Sequence, residues 1–171
     1  MMPASNRDLV DYFDYLCLAR EKLFGWIRNG PVEMYTRSFP VGHGTISTTL
    51  VHIARSQWGY TQWLSGRSVT AADNPLQMDK QPPFEELATI WTGVNPQTRQ
   101  VLADLDRDRY IEWVPMLYKP PMTIRINGAV LAGQLIFHEI HHRAQVMMML
   151  RHAGVTAETL DYALRSVWEK H

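Results

Sequence analysis

A proline-free segment near the carboxyl end, from Gly128 to His152, constrains the fold of this chain more than any other feature. One side of the segment carries residues spaced by three or four positions, as on one face of an α-helix: Leu131, Leu135, His138, His142, Gln145 and Met149. The opposite side is also apolar, with Phe137, Ile140, Ala144 and Met148. The segment therefore predicts a helix covered on several sides, either central in a bundle or in a subunit contact.

Three earlier segments show the same helical periodicity. Helices are predicted over about residues 6 to 28, from Ile46 to an end near Ser65-Gly66, and from an opening at Pro82-Pro83 onward. Pro96 should kink or interrupt the third of these helices, because proline lacks the amide hydrogen that a helix interior requires.

The remaining segments complete the predicted architecture. Asp104 to Asn127 is rich in charge and proline and is interpreted as a structured crossover with one short extended piece, Thr123 to Ile126. A final short helix is predicted from Thr156 to Lys170. The expected fold is all-α: a four-helix bundle with a long crossover connection and a short extra C-terminal helix, forming one domain over residues 1–171.

The composition is that of an ordinary globular protein, with 46% hydrophobic and 20% charged residues. Lys plus Arg and Asp plus Glu number 17 each, so no net charge attracts the chain to nucleic acid or to an acidic membrane surface. No apolar run approaches the ~18 residues of a membrane span, and the N-terminus lacks the apolar core of a signal peptide. Cys17 is the single cysteine, so we expect a cytoplasmic protein in which Cys17 is packed in the core.

Two histidines four positions apart, His138 and His142, are the strongest chemical signal. On a helix they are rotated by only about 40° from each other, so both imidazoles can bind one ion. We take His52 as the third ligand, because it lies in mid-helix among apolar residues, where an unpaired ring would be costly. The hypothesis is a site for one divalent transition metal, with an open coordination position at which water is activated.

Other interpretations of these histidines stay open. His52 alone fits a core histidine bonded to a carbonyl group, and His138 with His142 fits a polar strip facing a cleft. His141, beside His142, is a possible substitute ligand. The run Met147 to Met149 faces three directions on a helix, which favours packing or a dimer contact over metal binding.

The same segment also spells the zinc-peptidase pattern His-Glu-x-x-His, in which Glu139 would act as the general base. A zinc metallopeptidase would need a third ligand beyond the helix, for which Glu158 or Asp161 is available. A further alternative is a non-catalytic bundle that is stabilised by a metal or that binds a small molecule.

The chain resembles the DinB/YfiT-like family of helical-bundle proteins. Four pieces carry the resemblance in the family's order over most of the chain: Phe39-Pro40 through Ser47, Leu50 through Ala54 running to Trp63-Leu64, the His-x-x-x-His-Arg-x-Gln motif from His138 to Gln145, and Asp161-Tyr162. The chain departs from the family pattern at Ala144, where relatives usually have glycine, and at Pro96 inside the third helix. Neither departure touches a proposed ligand.

This resemblance implies a homodimeric four-helix bundle that holds nickel or zinc on His52, His138 and His142, with water or a substrate thiolate completing the shell. Some relatives are thiol-dependent transferases or isomerases. The implied activity is metal-dependent S-transfer, isomerisation or hydrolysis of a small molecule, with a low-molecular-weight thiol as a partner. Arg143 and Gln145 follow the motif but point about 100° and 60° away from His142, which predicts packing or support of the ligands.

Overall fold

Four long helices form the protein, whose computed structural model describes residues 6–114, 120 and 122–168. They are α1 (Arg7–Asn29), α2 (Ile46–Leu64), α3 (Phe84–Ala103) and α4 (Gly128–His152). Helices α1 and α2 each pack against both α3 and α4, so the helices surround one core in the order α1, α3, α2, α4. The predicted all-α bundle is confirmed. In the described part of the chain, no helix has the length and apolar character needed to cross a membrane.

Side-chain caps explain where α2 and α4 begin. The Thr45 hydroxyl accepts a hydrogen bond from the Thr48 amide, while the Thr48 hydroxyl accepts one from the Thr45 amide. At α4, Asn127 Oδ1 accepts a hydrogen bond of 2.9 Å from the Val130 amide. These caps pair amides that the first turn of a helix otherwise leaves free, and they therefore define the start of both helices.

A two-stranded antiparallel sheet occupies the connection between α3 and α4. Its strands are β1 (Tyr110–Trp113) and β2 (Ile124–Asn127), so the extended piece predicted over Thr123 to Ile126 lies one residue further along. Trp113 packs edge-on against Tyr60 of α2, with ring centroids 6.1 Å apart. The crossover is therefore structured where it is described, and it covers one side of α2.

Of the two predicted effects of Pro96, the interruption is wrong, because α3 runs without a break from Phe84 to Ala103, while the kink stays a prediction. A proline in a helix interior costs about 3 kcal/mol or more. Buried side chains on both sides of it, Trp91 before and Leu102 after, anchor α3 against the core and offset that cost.

The predicted helix from Thr156 to Lys170 is also corrected. Residues 156–161 are irregular, a 3-10 turn spans Tyr162–Leu164, and α5 covers only Arg165–Trp168, while Lys170 lies outside the described residues. Arg151 of α4 donates a hydrogen bond to the Ala157 carbonyl, and Tyr15 of α1 donates one to the Leu160 carbonyl. These hydrogen bonds take the place of those that a helix would form.

A buried ion pair and the hydrogen bonds around it link the four long helices at the centre of the bundle. Arg20 of α1 is 1% exposed and Glu139 of α4 is 3% exposed, and their charged atoms lie 2.6 Å apart. Arg20 also donates to Gln57 of α2 and to Asn95 of α3, each at 2.8 Å. The Trp91 indole donates to the same Gln57 oxygen at 2.7 Å, so the network is closely hydrogen-bonded on several sides.

Glu139→Gln should lower the free energy of unfolding by about 3–5 kcal/mol, because it leaves the Arg20 charge buried without a counter-charge. Urea denaturation followed by circular dichroism measures the change. The matched control is Glu85→Gln, which breaks the exposed pair with Arg28 and should cost far less. Equal losses in the two variants would contradict a central role for the buried pair.

Candidate metal centre

Three histidines from two helices meet on one side of the core. His52 lies in the middle of α2, and His138 and His142 lie one turn apart on α4. The Nε2 atoms of His52 and His138 are 2.9 Å apart. The ring centroid of His142 is 4.6 Å from the centroids of both other rings. The three residues that the sequence analysis selected therefore lie together.

A fourth histidine, His43, joins this cluster from the loop before α2, and the sequence analysis missed it. Its ring centroid is 4.2 Å from that of His52 and 5.2 Å from that of His142. Ligand nitrogens of His43, His52 and His142 all lie within 4.8 Å of one another, the one such metal-competent group in the described ranges. His138 is not a member of this group, although its Nε2 lies 2.9 Å from that of His52. The sequence feature that could have indicated His43 is its position between two glycines, Gly42 and Gly44.

Burial and mutual proximity keep these imidazoles neutral. Burial, followed by the charge of neighbouring imidazoles, lowers the pKa of His52 and of His138 to about 3. Burial also lowers the pKa of His142 and of His43. Neutral imidazole is the form that ligates metals, and zinc and nickel accept it readily, whereas calcium and magnesium prefer oxygen ligands. The donor set therefore fits a divalent transition metal.

Gln145 orients the ring of His142. His142 Nδ1 donates to Gln145 Oε1 at 2.8 Å, and Gln145 Nε2 donates to the exposed His141 at 3.1 Å. A hydrogen on Nδ1 leaves the lone pair of His142 on Nε2, as outer hydrogen bonds do for metal-binding histidines. The predicted supporting position of Gln145 is thus observed, and His141 lies beside the cluster as a second partner of Gln145.

Glu139 and Arg143, which flank the histidines in the motif, point into the core. Both oxygens of Glu139 are taken by its ion pair, so they are not available to a water molecule at the cluster. Arg143 is buried and donates to the Tyr15 hydroxyl at 2.5 Å. Glu158 and Asp161, the further ligands of the peptidase interpretation, are exposed and do not belong to the metal-competent group. The geometry therefore gives the peptidase pattern no base.

Comparison with known proteins decides the family of this chain. The model of the DinB family matches residues 2–170. The chain belongs to the DinB family. Protein DinB of Bacillus subtilis (strain 168) is 21% identical over 158 residues, covering 89% of this chain and 90% of that protein. The crystal structure of a DinB-like protein from Bacillus cereus ATCC 10987 superimposes with a TM-score of 0.60 at 16% identity, covering 86% of this chain and 94% of that one.

Membership of the DinB family confirms the resemblance that the histidine motif indicated. The B. cereus structure shows that this DinB-family chain shares its helical fold. The match to the family model spans both His52 and the motif from His138 to Gln145.

The metal-free protein should lose stability as the pH falls below 6.5, the ordinary pKa of histidine. Above that pH the rings of His52 and His138 are neutral in both states. Between 6.5 and about 3 the unfolded chain binds protons that the folded rings do not, so the free energy of unfolding decreases as the pH falls.

Thermal melting of chelator-treated protein from neutral to acidic pH measures this effect. The double variant His52→Gln, His138→Gln should show a flatter dependence of melting temperature on pH than the wild type. The exposed His152, at the end of α4, provides the control: His152→Gln should keep the wild-type slope. A slope unchanged by the double variant would show that these rings are not the cause.

Proposed function

We propose that this chain holds one divalent transition metal ion, nickel or zinc, on His52, His138 and His142, and that it uses the ion to activate a small thiol or water in a reaction on a small molecule. The observation that carries the proposal is the convergence of three neutral imidazoles from two packed helices. Three imidazoles are a sufficient ligand set without a carboxylate or a cysteine, as in catalytic zinc sites that are held by three histidines.

The spacing of the rings supports a common ion. Two nitrogens of a tetrahedral site are roughly 3.3 Å apart when each metal–nitrogen bond is about 2.0–2.1 Å long. The Nε2 atoms of His52 and His138 are 2.9 Å apart, so a small outward shift accommodates the ion. The ordinary alternative, a core histidine bonded to a carbonyl group, does not fit His52, whose ring nitrogen faces a second imidazole.

When bound, the metal would supply Lewis-acid chemistry that lowers the pKa of an adjacent water or thiol. The chain's own residues do the rest. His52, His138 and His142 hold the ion, and Gln145 keeps the ring of His142 in position. Tyr60 packs edge-on against His138, with ring centroids 5.7 Å apart.

An open cleft lies beyond Tyr60, and none of the four clustered histidines lines it. Tyr60 contacts Trp63, with ring centroids 6.4 Å apart. Trp63 in turn lines an open cleft of about 340 Å³, together with Arg67, Arg109 and other residues of the same region.

His52→Ala, His138→Ala and His142→Ala should each weaken Zn²⁺ binding by more than about 100-fold, the upper end of what loss of an outer-shell partner costs. Elemental analysis gives the metal content, and titration calorimetry with Zn²⁺ gives the affinity. His152→Ala is the matched control and should keep full affinity, because His152 is exposed and apart from the cluster.

His141→Ala tests the neighbouring histidine and should retain one metal ion per chain. Full metal content in His52→Ala, with the fold intact by circular dichroism, would remove His52 from the ligand set and with it the proposed site.

We also propose that the protein is a homodimer whose contact is the outer side of α4. Four apolar side chains on this helix are markedly exposed: Val130 at 56%, Phe137 at 70%, Ile140 at 36% and Met148 at 47%. Apolar patches of this kind commonly mark protein contacts. Met147 and Met149 are buried while Met148 is exposed, which agrees with the expectation that the three methionines face different directions.

Phe137→Glu should weaken the dimer roughly 30-fold, the effect of losing an interface hot spot of about 2 kcal/mol. Sedimentation equilibrium over a range of concentrations measures the dissociation constant. Val32→Glu alters an exposed apolar residue elsewhere, 89% exposed, and should leave the dimer unchanged. A wild-type protein that is monomeric at all concentrations would contradict the proposed contact.

A further inference from the structure

His43 belongs to the histidine cluster but lies in a loop, and hydrogen bonds hold the backbone of that loop in place. The flanking glycines, Gly42 and Gly44, have φ angles of 56° and 87°, a region that side chains disfavour. The His43 carbonyl accepts a hydrogen bond of 2.8 Å from the Thr48 hydroxyl. The amide of Phe39 donates to the Gly44 carbonyl at 2.7 Å. The loop thus holds the His43 backbone beside the first turn of α2.

The same loop packs against Gln145, the residue that orients His142. A Cβ atom on Gly42 would lie 2.6 Å from Gln145 Oε1, so the loop packs closely against the amide that bonds His142. Glycine at position 42 therefore permits both the positive φ angle of the backbone and its close approach to Gln145. The loop that carries His43 is therefore in direct contact with the residue that orients His142.

The ring of His43 has no hydrogen-bond partner in the described part of the chain, although it lies against two other imidazoles. His43 is exposed, whereas His52, His138 and His142 are partly buried, so His43 covers the solvent side of the cluster. One of its ligand nitrogens lies within 4.8 Å of ligand nitrogens of His52 and His142. A ring with free nitrogens at this place is positioned to coordinate the ion that the others hold.

We propose that His43 is a fourth, displaceable metal ligand, which closes the coordination shell from the Gly42–Gly44 loop and leaves it when an external ligand such as a small thiol binds. This inference rests on the proposed metal site. Four protein ligands saturate a tetrahedral ion, as in structural sites, whereas three leave the open position of catalytic sites. A ligand on a glycine-flanked loop allows both states in one protein.

The test uses the full-length protein loaded with Co²⁺, whose visible absorption reports the number and type of ligands. His43→Ala should still bind one Co²⁺ per chain, with an affinity roughly tenfold or more lower and a changed visible spectrum. Added imidazole should restore the wild-type spectrum of His43→Ala, because it occupies the vacated position. Titration with 2-mercaptoethanol should show tighter thiol binding to His43→Ala than to the wild type, since no protein ligand competes.

The controls separate this inference from the proposed function. His152→Ala should match the wild type in Co²⁺ affinity, spectrum and thiol binding. If His52→Ala loses Co²⁺ while His43→Ala keeps the wild-type spectrum and affinity and ignores imidazole, the metal site stands and the loop ligand is refuted. If the wild type binds neither Co²⁺ nor Zn²⁺, both proposals are refuted together.

Discussion

The ion pair between Arg20 and Glu139 fixes the rotation of α4, and the geometry of the histidine cluster depends on that rotation. Both residues are almost wholly buried, so a turn of α4 that separated them would leave a charge unpaired in the core. Neighbouring residues on a helix differ by about 100° in direction. With Glu139 held toward α1, His138 and His142 point toward α2, where His52 lies. Charge pairing in the core thereby determines where the imidazoles meet.

Much of the fold could be predicted, because helix formation leaves a periodic signal in the sequence. The segment from Gly128 to His152 became α4 with the same bounds, and α2 ends at Leu64, just before the predicted end near Ser65-Gly66. The errors lie where tertiary contacts override local signals. Pro96 stays inside α3 because α3 is anchored on both sides of it, and the segment from Thr156 fails to form a helix because its carbonyl groups bond side chains of other helices.

The site could be predicted only in part, for a related reason. His52, His138 and His142 lie on helices, so their spacing indicates direction, and their convergence was expected. His43 lies in a loop, where no periodicity tells which way a side chain points. Glu139 was harder to interpret, because the short pattern His-Glu-x-x-His suggests a general base. The structure instead pairs Glu139 with Arg20, a residue far away in the sequence, and the local pattern gives no sign of that pairing.

In the proposed site, the division of the cluster between helices and a loop would separate affinity for a metal from access to it. Helix-borne imidazoles cannot part without disturbing the buried pair and the core around it. The loop, in contrast, is held near His43 by hydrogen bonds such as those of Phe39 and Thr48, each worth about 1 kcal/mol net. In the proposed site, an external ligand would compete with His43 for one coordination position, while His52, His138 and His142 would stay on their helices. A bundle can in this way keep a rigid site and still admit a substrate.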